Sequence, residues 1–325
     1  LLAANLFNPD WDNAVTISVT RSGLNTTAQT NTQAFYIFDT AKFFDGSLLI
    51  TGGIRVDNYQ TKFRSPTLSL KDKGTLFNWK LGAVYKPVEP VSLYVNYAVS
   101  QQPPGGANFT LSNAANNAAN PNMDPQKAKT IEAGVKWSAL GDALALNAAV
   151  FQTTVYNEIN SQIVDDAGNP TQTGKKRVRG IELSAVGQIT DAWSISGGYS
   201  YLDTEVTEGP GITADGSQNL TYTPGNAFTV WSNYRFPFGL ELAGGVRHNG
   251  GLHKGTDGAV GTPQYTKGYT VVDLMLAYQL TDNIKLRVNA NNIFDKDYIA
   301  SINKSGYRYT PGSPQTFLFS ADFNF

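Results

Sequence analysis

The sequence contains no cysteine, and its 325 residues include only 2 histidines and 2 methionines. Without thiols, disulfide frameworks, thiolate nucleophiles and zinc–thiolate centres are excluded. The same gap suits a protein that meets the periplasm, where stray thiols mispair. Charge is scarce as well, at 16% against about 25% in an ordinary soluble domain. The formal sum is −1, so nothing favours a polyanion and no nucleic-acid partner is expected. No stretch approaches the roughly 18 uninterrupted apolar residues of a membrane helix. A β-barrel stays open, because each barrel strand is only half apolar. A basic leader is missing too: Leu1 to Pro9 holds a short apolar run, which for an exported protein implies a processed form or a fragment.

What is present is aromatic and periodic. Phe, Trp and Tyr make up 12%, and there are 31 glycines. In the last ten residues Phe317, Phe319, Ala321, Phe323 and Phe325 fall on one face of an extended strand, with Leu318, Ser320, Asp322 and Asn324 on the other. A row of rings opposite polar groups suits lipid on one side and a wet lumen on the other.

The same alternation recurs along the chain. It predicts strands at 32–42, 47–57, 75–85, 91–100, 127–137, 143–156, 175–187, 193–203, 226–236, 239–248, 268–280, 283–291 and 314–325, with a weaker candidate at 14–21. Connections at 86–90, 140–142, 190–191, 236–238 and 281–283 are short and carry tight-turn chemistry. Those at 58–74, 101–126, 157–174, 204–223, 249–267 and 292–312 are long and polar, and the two kinds alternate. Charges keep to one face: Arg55, Asp57, Lys80, Glu132, Lys136, Glu182, Glu241, Arg247, Asp273, Lys285 and Arg287 oppose apolar neighbours. A Lys or Arg in mid-lipid costs about 2–4 kcal/mol, so that sorting is informative. Trp79, Trp137, Trp193, Tyr85 and Tyr278 are expected in an aromatic girdle on the short-turn side. The fold class is therefore all-β, a transmembrane antiparallel β-barrel with roughly thirteen or fourteen strands. Residues 31–325 form the strands and residues 1–30 an extracellular loop or partial strand. A soluble antiparallel sheet with one buried face is the competing fold.

Several segments together resemble the C-terminal barrel of a TonB-dependent outer-membrane receptor of the ferric-siderophore kind. They are Gly52–Asp57, Lys129–Trp137, Arg179–Ser184, Trp193–Asp203, Tyr269–Leu274 and Asn289–Tyr298. Asn8-Pro9-Asp10 and Phe38-Asp39-Thr40 resemble the catecholate branch, and the terminal Phe resembles the closing-strand aromatic read by barrel-insertion machinery. The closing strand departs from the family pattern, with Pro314-Gln315 where a Pro-Arg pair is usual. The resemblance implies a bacterial outer-membrane location and a 22-stranded barrel around a plug, of which this chain would supply the C-terminal part. It also implies a monomer that takes up a ferric siderophore, powered by a TonB energy-coupling complex acting through an N-terminal plug missing here. Two alternatives stay open: a self-contained fourteen-stranded passive channel, and a receptor for another bulky nutrient.

Because iron would arrive wrapped in its siderophore, the resemblance implies no resident metal or cofactor. It implies aromatic and cationic loop residues facing an anionic, aromatic ligand: Tyr59, Lys62, Arg64, Phe109, Tyr222, Arg247, Tyr265, Tyr307, Arg308 and Tyr309. An ordinary loop role is the competing reading for each. Arg177 and Arg179 share the parity of Ile181 and Leu183 at the outer rim, which points them at outer-membrane lipid and lipopolysaccharide phosphates. His248 and His253 are spaced poorly for a metal pair, and Asp165-Asp-Ala-Gly168 only faintly resembles a calcium loop. No phosphate loop or nucleophile elbow occurs, so catalysis is not expected.

Overall fold

The computed structural model describes residues 25–106, 110–256, 261–303 and 308–324. Twelve strands follow one another as β1 (Thr27–Phe43), β2 (Leu48–Arg64), β3 (Ser69–Val88), β4 (Val91–Gln102), β5 (Gln126–Ala139), β6 (Leu144–Val164), β7 (Pro170–Thr190), β8 (Trp193–Glu208), β9 (Asn226–Arg235), β10 (Leu240–His253), β11 (Tyr265–Thr281) and β12 (Ile284–Asn291). A small hairpin, β13 (Ile299–Ile302) and β14 (Tyr309–Pro311), precedes the last strand, β15 (Thr316–Phe323). β1 to β12 and β15 form one 13-stranded antiparallel sheet in sequence order. Among the described residues β1 and β15 are paired on one side only, and the series does not close on itself. The candidate strand at 14–21 lies outside the described residues.

All thirteen expected strands are present, and their register carries the two faces without a break. Ile54, Trp79 and Val99 stand side by side, as do Ala133, Val150, Ile181 and Tyr201, and further on Leu276, Val288 and Phe319. All belong to the outward face. The apolar layer on β2 runs from Leu48 to Val56, about 27 Å of strand and, tilted, about 20 Å of height. The outward positions within this layer are apolar, glycine or small polar residues, apart from Asp39 on β1, which is exposed and stands opposite Gly52. At its upper edge the polarity switches between adjacent rungs: Val150, Ile181 and Tyr201 give way to Gln152, Arg179 and Asp203. Trp137, Trp193, Tyr85 and Tyr278 lie at the short-turn side as expected. Trp79 does not. It sits in the middle of the 20-residue β3, near the layer's upper edge, with its ring 5.3 Å from that of Tyr97.

Two segments expected as long loops are mostly strand. The 58–74 connection narrows to a turn at 65–68, and the 157–174 connection to one at 165–169. β2, β3, β6 and β7 thus reach 17 to 21 residues, well beyond the roughly 9–11 that cross lipid. Above the membrane the outward side chains turn polar, so the apolar rhythm that marks a strand fades while the ladder continues. Burial of the inward face sustains the extension. Tyr59, Thr61, Phe63, Asp72 and Leu76 are all buried. Gly74 stands opposite Tyr59, where an added Cβ would meet the ring at 2.9 Å, so the missing side chain lets the phenol lie flat.

The 292–312 loop is anchored at its root. Asn292 donates its backbone N–H to Asp273 Oδ1 at 2.8 Å, and its Nδ2 to the carbonyls of Lys296 and Ser313, both at 3.0 Å. Gln315 donates its N–H to Asp295 Oδ1 at 3.0 Å and its Nε2 to the Ile293 carbonyl at 2.8 Å. The Pro-Gln departure is accommodated, because Gln supplies donors to the same turn.

Candidate ligand-capture site

On the inward face the wall neutralises itself locally. Arg55 donates from Nε and Nη2 to Asp57 at 2.7–2.9 Å, and Asn78 adds a bond to the same carboxylate. Lys285 pairs with Glu241 at 2.6 Å, Asn233 also donates to Glu241, and Arg287 lies 3.5 Å from Asp322. Arg247 is exposed on the inward face of β10 and, like the inward Lys80 and Lys136, forms no ion pair with a described residue.

Above Arg247 the β8–β9 and β10–β11 connections are strapped together. Thr213 and Gly255 form an isolated bridge, Ala214 N–H donates to the Lys254 carbonyl at 2.8 Å, and Tyr222 N–H donates to that of His253 at 3.0 Å. Asp215 Oδ2 lies 2.8 Å from His253 Nδ1, and the buried Lys254 ammonium donates to Thr262. Burial pushes the Asp215 carboxyl up. Hydrogen bonds from Ser217, Thr213 and His253 outweigh it and hold this group well below the usual carboxylate range. Thr213, Asp215, Ser217 and Asn219 contribute to this strap at every second position. That alternation puts the four on one side of the segment, but nothing local in the sequence points to His253, 38 residues on from Asp215.

The expected ligand residues divide. Tyr222 and Tyr265 both meet His253 at the outer end of β10, six residues along the strand from Arg247. Tyr222 is bonded to the His253 carbonyl and has its hydroxyl buried without a partner, while Tyr265 pairs opposite His253 and is 55% exposed. Tyr222 also adopts φ 57°, a left-handed turn conformation that fixes its direction. Arg308 and Tyr309 are exposed on the β13–β14 hairpin. Tyr59 is buried inside the β2–β3 extension. There burial first, then a hydrogen bond to Asp72, pushes its hydroxyl above the ordinary phenol range. Lys62 and Arg64 share the outward parity of Val56. Phe109 and Tyr307 lie outside the described residues.

The remaining candidates resolve into ordinary structure. His248 is outward, stacked on Phe228 at 5.3 Å and bonded to Thr270 at 2.9 Å, whereas His253 is inward. Asp165 spends Oδ1 on the N–H groups of Ala167 and Asn169, closing the β6–β7 turn. Arg179 pairs with Asp203 at 2.6 Å and Arg177 with Glu205. Among the described residues no group of three or more His, Cys, Asp or Glu is arranged to hold a metal.

A continuous antiparallel ladder with an apolar skin and a polar inner face defines an outer-membrane β-barrel. Residues 3–293 match the family described as TonB dependent receptor-like, beta-barrel, and the chain belongs to that family, in the outer membrane of Gram-negative bacteria. It is 43% identical to the catecholate siderophore receptor Fiu of Escherichia coli strain K12, over 100% of this chain and 46% of that protein. The crystal structure of the ferric-catecholate import receptor Fiu in its closed form superposes with a TM-score of 0.92, covering 100% of this chain and 49% of that one. The crystal structure of the siderophore receptor PiuA from Acinetobacter baumannii matches at TM-score 0.79 and 27% identity, covering 92% of this chain and 44% of that one. The chain therefore spans about half the length of the relatives it matches.

Proposed function

We propose that the whole receptor imports a ferric siderophore of the catecholate class, and that this chain supplies barrel strands and part of the extracellular mouth. The observation that carries the reading is identity of 43% along the entire chain with a catecholate siderophore receptor. The chemistry at β10 agrees. A ferric tris-catecholate is anionic and aromatic, and Arg247 on the inward face of β10 offers an exposed guanidinium, with the exposed phenol of Tyr265 farther out on β11. Arg308, exposed on its hairpin, is a second cation in reach of an arriving anion. Iron travels inside its chelator, so the protein holds no resident metal and does no chemistry on its cargo. Release into the periplasm depends on a TonB complex acting through a plug outside this chain, with the receptor working as a monomer.

Deletion of the gene should abolish iron-limited growth on catecholate siderophores and spare growth on hydroxamates. In the full-length receptor, Arg247→Ala should weaken binding of the ferric catecholate about tenfold or more, as loss of a charge-assisted contact does. Unchanged growth and unchanged affinity would exclude this reading. A second reading, uptake of another metal–chelate complex, is favoured by 28% identity over 84% of the chain to the metal-pseudopaline receptor CntO of Pseudomonas aeruginosa. It predicts growth loss on such chelates instead.

A further inference from the structure

The outward face of the β2–β3 hairpin carries a cluster of cations that neither the fold nor the ligand site uses. β2 and β3 pair without any register shift from Leu48–Tyr85 to Arg64–Ser69, so the outward parity set in the apolar layer by Val56 and Phe77 persists to the tip. Above that pair the outward positions include Lys62, Arg64, Lys71 and Lys73, all exposed. Lys62 stands directly opposite Lys71, and Lys73 opposite Gln60. On the adjoining outward face of β1 the residues are Thr27, Gln29, Asn31 and Gln33, and above the apolar layer no carboxylate appears on this side of the three strands, Asp39 lying lower, opposite Gly52. None of the four cations forms an ion pair with a described residue.

Like charges directly opposite on a ladder repel. Here Lys62 opposes Lys71, with Arg64 and Lys73 beside them, on a hairpin whose other face is buried through Tyr59, Thr61, Phe63, Asp72 and Leu76, so the patch cannot turn away. Such an arrangement calls for an external anion. Its height names the source. Lys73 lies about 13 Å along the strand above Phe77, and Lys62 and Lys71 about 20 Å above the same line. Allowing for tilt, that is roughly 10–14 Å above the acyl layer, in the zone of phosphorylated headgroups and inner sugars, and lysine stems can snorkel downward to it.

The rim of β7 and β8 makes the contrast. There Lys175–Glu208, Arg177–Glu205 and Arg179–Asp203 neutralise one another rung by rung. We infer that the outward face of β2–β3, through Lys62, Arg64, Lys71 and Lys73, is a binding site for the phosphates of lipopolysaccharide in the outer leaflet. The self-paired β7–β8 rim is not that site.

The test uses the full-length receptor, purified and stripped of lipid, and titrated with lipopolysaccharide, with its enzymatically dephosphorylated form and with inorganic phosphate. The phosphorylated form should bind at least about tenfold more tightly than the dephosphorylated one, with an advantage that shrinks in salt. The quadruple variant Lys62→Gln, Arg64→Gln, Lys71→Gln, Lys73→Gln should lose that advantage and keep its thermal midpoint. A charge-keeping quadruple (Lys62→Arg, Arg64→Lys, Lys71→Arg, Lys73→Arg) should retain it. Equal binding of both lipid forms would overturn the assignment, as would an equal loss from Arg177→Gln with Arg179→Gln. Competition by inorganic phosphate at concentrations matching the lipid would also overturn it, making the site one for a soluble anion. Loss of ferric-siderophore binding in the glutamine variant would reassign these cations to the cargo.

Discussion

At the level of single residues, a tight constraint sits on Gly245 in β10, which faces Trp231 of β9 across the inner wall. A methyl there would meet the indole well inside van der Waals contact. Gly245→Ala should cost about 1–3 kcal/mol, the range for overpacking, in urea unfolding of the receptor reconstituted in vesicles. Gly52→Ala, with nothing closer than 4.0 Å, should be near neutral. Asp215 gives a pH signature. Its folded-state pKa is depressed, so its stabilisation of the loop strap is fully present above the ordinary aspartate value of 3.8 and declines as pH falls through and below it. The thermal midpoint of wild type should exceed that of Asp215→Asn at pH 7, and the gap should shrink toward pH 3. A gap independent of pH would contradict the assigned cause. These residues were poorly visible in the sequence. Arg247 and the two tyrosines are chosen by residue type alone, whereas the pairing of Asp215 with His253 joins residues 38 apart, and no local pattern reports that.

Single strands are where the sequence was most legible, because lipid enforces a strict period of two. Placement of all thirteen barrel strands rested on that rhythm, and it failed only where lipid stopped enforcing it. Beyond Val56 on β2 and Ile181 on β7, side chains are polar on the outward face, and the extensions were read as loops. Trp79 was misplaced for the same reason: its strand is longer than the membrane is thick, so nearness to a predicted strand end gave the wrong level. The asymmetry of the two faces is testable. Leu183→Lys, outward on β7, should destabilise by about 2–4 kcal/mol, whereas Ser184→Lys, one residue on and inward, should cost about 1 kcal/mol or less. Equal costs in vesicle-based unfolding would mean that the faces are assigned wrongly.

For the whole molecule the decisive fact is the open ladder. Among the described residues β1 and β15 each leave one edge of backbone donors and acceptors unpaired, and lipid offers those groups no partner. Residues 27–323 expressed alone should therefore fail to give the heat-modifiable electrophoretic mobility of a closed barrel, whereas the full-length receptor should show it. A compact, heat-modifiable species from the isolated segment would mean that the edges find each other. The strap between the β8–β9 and β10–β11 connections has a further consequence for anyone re-engineering cargo preference. Because the bridge at Thr213 and Gly255, the Asp215–His253 pair and the Tyr222 bond all cross between these two segments, neither can be transplanted alone. A chimera carrying one foreign segment breaks every tie at once, and specificity should move between receptors only when both are exchanged as a matched set.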